Sequence, residues 1–97
     1  MTSLLSRTTE GLVYRLESCP NPNVIQIHVK RRLSEMSITF YQQGGTDERP
    51  EWVRNVMAVE GVVVLLVDPY SVTISKGHAY EWVEILPLAL FAIGSAA

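Results

Sequence analysis

Alternation of apolar and polar residues predicts strands in the first half of the chain. Residues 11–18 place their apolar side chains at every second position, and residues 24–30 repeat this pattern. A period of two residues is that of a strand with one covered face. Residues 37–41 show the same pattern over a shorter stretch. We therefore expect two or three strands before the middle of the chain.

The second half of the chain contains a predicted β-hairpin. Residues 62–67 are a continuous run of valine and leucine, which is typical of a strand covered on both faces. Residues 68–71, Asp-Pro-Tyr-Ser, have the composition of a tight turn, because proline presets its own φ and aspartate bonds nearby backbone groups. Residues 72–75 then alternate between apolar and polar, as a strand with one wet face does.

Helical patterns flank this hairpin on both sides. Pro50 suits the first turn of a helix whose apolar stripe is wide enough to face a sheet, and Gly61 suits the position after its end. Residues 79–93 form a second helical stripe, in which Pro87 predicts either a kink or a start later than Ala79. The element order is β(2–3)-α-β-β-α. It predicts an α+β two-layer sandwich with a small mixed or antiparallel sheet and two helices on one face.

Apolar positions at strand or helix period make the predicted core. They are Ile25, Ile27, Val53, Val56, Met57, Val72, Ile74, Trp82, Leu86 and Ala89. Two helices cover only one face of a small sheet, so one alternate set within residues 62–67 must face away from them. Residues 88–93 are likewise apolar nearly all round. Exposed apolar groups of this kind mark partner sites, so we expect an apolar surface used for association.

The length and composition are those of one globular domain. The 97 residues are 47% hydrophobic and 19% charged, which allows a modest core without disulfides or metals. We assign residues 1–97 to a single domain, with residues 1–10 as a flexible N-terminus. The net charge of −2 argues against nucleic acid as a partner, because phosphate binding depends on an excess of lysine and arginine.

Cysteine content and hydropathy predict the compartment of the protein. The single cysteine, Cys19, excludes a disulfide within the chain and is typical of a reducing environment. Residues 1–10 lack the apolar stretch of a secretory signal. The longest apolar tract, residues 85–97, is too short to span a membrane and is interrupted by Pro87. We expect a cytoplasmic protein with no membrane association.

Few side chains in this sequence are candidates for catalysis or metal binding. Cys19, His28 and His78 have none of the spacings typical of metal sites, and the sequence contains no Ser-His-Asp set or phosphate loop. Cys19 has no base or cation at a required spacing, so we interpret it as an inert, partly buried thiol. We therefore expect no catalytic residues, no metal site and no cofactor.

Four motifs occur in the order seen in one known family. Pro-Asn-Pro-Asn at residues 20–23 precedes a strand, and Met-Ala-Val-Glu-Gly-Val occupies residues 57–62. The hairpin of residues 68–76 ends in Thr-Ile-Ser-Lys, and Trp-Val-Glu-Ile-Leu-Pro occupies residues 82–87. These four motifs, in this order, resemble those of the N-terminal domain of Nfu/NifU-like iron–sulfur cluster scaffold proteins. The resemblance covers about residues 18–93.

This resemblance implies both a fold and a role. The family's domain is a two-layer α+β fold, in agreement with the element order above. In full-length members a second domain holds the cluster through a Cys-x-x-Cys pair, which this chain lacks. The implied role is a non-enzymatic protein-interaction domain that assists cluster assembly or delivery by docking an iron–sulfur carrier or recipient protein. The chain departs from the family pattern at Cys19, where threonine or serine is usual, and in residues 31–37, which resemble an insertion.

The partner site is assigned to two places. Asn21 and Asn23 form the first, a rigid turn that is either local architecture or a recognition loop. Val63, Leu65 and Val67 form the second, as the outward set of the apolar strand. A homodimer through such a surface is an alternative to a separate partner.

Two other functions stay open at this point. One is a small ligand-binding or regulatory module, since two-layer α+β folds often host such sites. The other is an enzyme that uses Cys19 as its nucleophile. A deep pocket with convergent polar groups would favour the first, and His28 within hydrogen-bond reach of Cys19 would favour the second. A flat apolar surface favours partner docking.

Overall fold

The computed structural model describes residues 6–7, 11–41 and 50–95, which fold into an antiparallel sheet and two helices. The strands are β1 (Ser6–Arg7), β2 (Val13–Ser18), β3 (Val24–Val29), β4 (Ile38–Tyr41), β5 (Val62–Asp68) and β6 (Ser71–Lys76). The helices are α1 (Glu51–Met57) and α2 (Trp82–Gly94). The predicted α+β class and element order are confirmed.

The sheet has the strand order β1-β2-β3-β6-β5-β4, so the predicted hairpin of β5 and β6 lies inside it. Pro69 and Tyr70 form its two-residue turn. β6 pairs with β3 on its other side, where Val72 lies opposite Ile27. β1 pairs with β2, so the segment predicted to be a flexible N-terminus contributes two residues to the sheet edge. The rest of that segment lies outside the described residues.

One face of the sheet and both helices share a single hydrophobic core. Ile25, Ile74 and Leu65 lie side by side on β3, β6 and β5, and all three are buried. The buried residues of α1 and α2 join this same cluster, so both helices cover the same face. All ten predicted core residues belong to the cluster or pack against it, but Trp82 and Leu86 are only partly buried at its margin.

Helix α2 begins later than Ala79, and the first half of its buried side differs from the predicted one, while Ala89 is buried as predicted. It starts at Trp82, which confirms the alternative of a later start. Ile85 is fully buried where Leu86 was expected. Pro87 lies inside the helix on its exposed side, where water can bond the Val83 carbonyl that loses its partner. No helix among the described residues is long and apolar enough to cross a membrane.

A β-bulge in β5 reverses the expected alternation of the apolar run. Val62 pairs with Lys76 but Val64 pairs with Ser75, so one extra residue lies between these pairs. The bulge shifts the alternation by one, which lets Val62 point inward together with Leu65 and Val67. Val63 is 46% exposed at the bulge. The predicted outward set was therefore wrong for Leu65 and Val67, which are buried in the core.

Candidate functional site

The Pro-Asn-Pro-Asn motif forms a turn held by its own polar groups. The backbone amide of Asn23 donates a hydrogen bond to Asn21 Oδ1 at 2.9 Å. The amide of Val24 donates to the Asn21 carbonyl at 3.0 Å and so starts β3. This hydrogen bond between the side chain and the backbone two residues ahead is enough to explain why asparagine occupies position 21.

Two other motifs, distant in sequence, contact the same turn. Lys76, the last residue of β6, donates from its backbone amide to the Asn23 carbonyl and from Nζ to Asn23 Oδ1, at 2.8 and 3.0 Å. Trp82 Nε1 donates to the Pro22 carbonyl at 2.9 Å, and the Lys76 ammonium lies 5.6 Å from the centre of the Trp82 ring. These contacts give the Asn23 side chain an architectural role. That Asn21 and Asn23 also recognise a partner stays a prediction.

The remaining motif meets the same end of the sheet through Gly61. This glycine has φ of 101°, and the Gly77 amide donates to its carbonyl at 2.9 Å. The Tyr80 ring packs directly against it. Tyr80 Oη donates to Glu60 Oε1 at 3.2 Å. The charge of Glu60 and this hydrogen bond raise the pKa of the Tyr80 phenol, with a smaller contribution from Glu84.

A surface groove runs beside this tyrosine, between the end of α1 and helix α2. Val59, Leu88, Phe91 and Ala92 form its apolar lining over a volume of about 300 Å³. A second hollow of about 530 Å³ continues it past Tyr80 and shares Val59 and Leu88 with it. We call the two together the α1–α2 groove. It is open to solvent and is not a deep pocket with convergent polar groups.

Helix α2 exposes large apolar side chains to solvent, and two of them, Leu88 and Phe91, line this groove. The exposed fractions of Val83, Leu88 and Phe91 are 78%, 58% and 59%. Thirteen residues make up the helix, and Glu84 is its only charged residue. The expected apolar surface therefore lies on α2 and not on β5, where Val64 and Leu66 are half-buried beside polar residues of β6. The all-round apolar pattern of residues 88–93 was the sequence signal for it.

The titratable residues singled out in the sequence do not come together. His28 Nε2 lies 2.9 Å from Glu17 Oε1 on the outer face of the sheet. His28 pairs with Arg15 of β2, and Cys19 follows the end of this strand, four residues after Arg15 and about 13 Å from it at strand spacing. This separation argues against a Cys19–His28 pair. Within the described parts of the chain, no three His, Cys, Asp or Glu residues are placed to hold a metal ion.

The basic residues after β3 have structural partners. Arg31 Nη1 donates to the carbonyl of Gly94, the last residue of α2, at 3.0 Å. Arg32 Nε donates to the Ser34 carbonyl at 3.3 Å. The insertion-like segment is also tied to the hairpin, because the Leu33 amide donates to the Pro69 carbonyl at 2.7 Å. A cation at a helix C-terminus is favourable, which gives Arg31 a local reason to be there.

The fold and this surface define a class of small α+β domain with an exposed apolar helix. Residues 13–96 match the family model described as scaffold protein Nfu/NifU N terminal, so the chain belongs to this family. Membership indicates a role in iron–sulfur cluster biogenesis, and a scaffold family implies protein partners. Scaffold proteins of this kind are generally not enzymes.

Two solved structures share the fold. The crystal structure of protein SAV1430 from Staphylococcus aureus is 23% identical with a TM-score of 0.67, covering 79% of this chain and 92% of that one. The solution NMR structure of the same protein is also 23% identical, with a TM-score of 0.64 and coverages of 80% and 85%. No curated protein matches the chain.

Proposed function

We propose that residues 1–97 act as a single non-enzymatic docking domain of iron–sulfur cluster biogenesis in the cytoplasm. The domain binds a cluster carrier or a recipient protein through the exposed face of α2. The observation that carries this proposal is the exposure of Val83, Leu88 and Phe91 on one helix. Side chains of this size lose contact with water when a partner covers them, which stabilises the complex.

The alternative of a small ligand-binding module has less support. Its site would need a concave pocket with several polar groups aimed at one ligand. Both hollows of the α1–α2 groove are open to solvent, and the first of them is mainly apolar. The alternative of an enzyme built on Cys19 has no support from His28, because the sheet register keeps this histidine away from the thiol.

We expect a strain without this protein to lose activity of its iron–sulfur enzymes, and the intact chain to restore it. A variant with Leu88→Ser and Phe91→Ser should fail to restore activity, because its docking face is polar. Enzyme activities in cell extracts provide the measurement.

Met36→Ser is the matched control for this experiment. It also removes an exposed apolar side chain, but one that lies before β4 and outside the groove, so it should restore activity fully. Unchanged enzyme activities in the deletion strain would contradict the proposed function. Full rescue by the α2 variant would place docking elsewhere.

We expect these residues to bind no iron–sulfur cluster when purified alone. Cluster irons are normally held by about four thiolates, and the 97 residues contain only Cys19. A symmetric dimer would bring just two thiols to one place. Anaerobic reconstitution with iron and sulfide, followed by absorbance and iron counting, should leave the protein colourless. A stable chromophore that disappears in Cys19→Ser would make the chain a cluster carrier in its own right.

A further inference from the structure

The α1–α2 groove combines an apolar lining with acidic sides. Val59 and Ala92 form buried parts of its wall, while Leu88 and Phe91 rise from α2 with more than half of their surfaces exposed. Glu60 borders both hollows of the groove, and Glu84 borders the second one. A binding segment would thus meet apolar groups at the centre and carboxylates at the edge.

The negative charge of this edge is not neutralised by the groove itself. Among the residues that the structure describes, no lysine or arginine lines either hollow. The Tyr80 hydroxyl donates a hydrogen bond to Glu60 Oε1. The charges of Glu60 and, to a smaller extent, Glu84 raise the pKa of this phenol. The site therefore attracts cations and repels anions.

We propose that the α1–α2 groove binds a basic amphipathic helix of the partner protein. This inference rests on the proposed docking function and adds the chemistry of the segment that docks. Apolar residues one turn apart on the partner helix contact Leu88, Phe91 and Val59. Lysine or arginine residues flanking that stripe pair with Glu60 and Glu84. Helix-in-groove recognition commonly joins an apolar stripe with complementary charges in this way.

Two other occupants fit the charges less well. A second copy of this chain, placed face to face, would bring the Glu60 and Glu84 carboxylates of both copies close together, and the chain carries a net charge of −2. An anionic lipid surface would meet the same repulsion. A partner helix with positive flanks relieves the repulsion that these carboxylates impose on each other.

A synthetic peptide tests the proposal with the intact chain. The probe is an amphipathic helix of about 18 residues, roughly 27 Å long, with leucine on one face and lysine on the other. Two matched peptides carry glutamine or glutamate in place of lysine. Titration of the isotope-labelled chain, followed by NMR chemical shifts, gives both the affinity and the location of binding.

We expect the lysine peptide to shift signals of Tyr80, Leu88 and Phe91. The glutamine peptide should bind more weakly, the glutamate peptide weakest of the three, and added salt should weaken the lysine peptide most. Glu60→Gln with Glu84→Gln should reduce affinity for the lysine peptide by about tenfold. The amide at position 60 keeps an acceptor for Tyr80. Glu35→Gln removes a charge outside the groove and should leave affinity unchanged.

Each contrary outcome overturns a specific part of the groove proposal. Equal binding of all three peptides would overturn the charge complementarity but leave docking by the α2 face intact. Shifts confined to residues outside the groove, or no binding at all, would overturn the groove as the site of a basic helix. Self-association of the free chain that the peptide does not displace would assign the groove to a second copy. The rescue experiment in cells decides the proposed function separately.

Discussion

Replacing Ile85 by alanine is expected to lower the free energy of unfolding by about 2–5 kcal/mol. Ile85 is fully buried in α2 and belongs to the cluster that joins both helices to the sheet. Its truncation removes apolar contacts and leaves a cavity that the close-packed neighbours fill only in part. Because small domains are stable by only about 5–15 kcal/mol, this loss is a large fraction of the total. Urea denaturation followed by circular dichroism measures it.

Leu86→Ala is the matched comparison for this prediction. It removes a side chain of the same size from the next residue of the same helix, but Leu86 is only partly buried. We expect its cost to be roughly half that of Ile85→Ala, because part of the leucine surface already contacts water. A larger loss for Leu86→Ala would show that α2 turns its other side to the sheet.

Replacing Gly61 by alanine is expected to destabilise the fold for two separate reasons. The backbone φ of 101° is strained for any residue with a Cβ. The new Cβ would also lie 2.7 Å from Cγ of Tyr80, closer than atoms can approach. The Tyr80 Cβ would lie 3.0 Å away as well. Because the backbone fixes this atom, rotation of the ring relieves only part of the clash. Thermal and urea unfolding should both show the loss.

Gly11→Ala separates these two effects. Gly11 has a similar φ of 94°, but a Cβ there would have no atom of the described residues within 4 Å. Its substitution should therefore cost only the backbone strain, about 1–2 kcal/mol, and Gly61→Ala should cost clearly more. Equal costs for the two variants would mean that Tyr80 does not pack against Gly61. The groove beside Tyr80 would then be shaped differently as well.

The core residues found in the structure differ from those predicted from the sequence mainly in α2. Its residues are apolar on almost every side, so periodicity contains little information about which stripe is buried. The pattern predicted Ala89 correctly, but the tertiary structure buries Ile85 where the pattern favoured Leu86. The residues left outside, including Leu88 and Phe91, then form the wall of the groove. The pattern of this one helix indicates that some apolar residues stay exposed, but it does not determine which ones.

Local patterns alone determined the elements of this protein and their order. Alternation in β3, the tight turn at Pro69 and the glycine at position 61 each have a physical reason within a few residues. The four motifs also identified the family without any knowledge of the sheet. These features are short-range, because backbone conformation and side-chain direction depend on neighbours in sequence.

Only the tertiary structure decided which residues meet. The bulge at Val63 sends Leu65 and Val67 into the core, and one extra residue in the pairing of β5 with β6 is enough to reverse the two faces. Asn23, Lys76 and Trp82 come together because β3 pairs with β6 and α2 returns to the same end. Such contacts depend on strand register and on how the helices cover the sheet. Those choices minimise exposed apolar area over the whole chain, and a local stretch of sequence does not contain them.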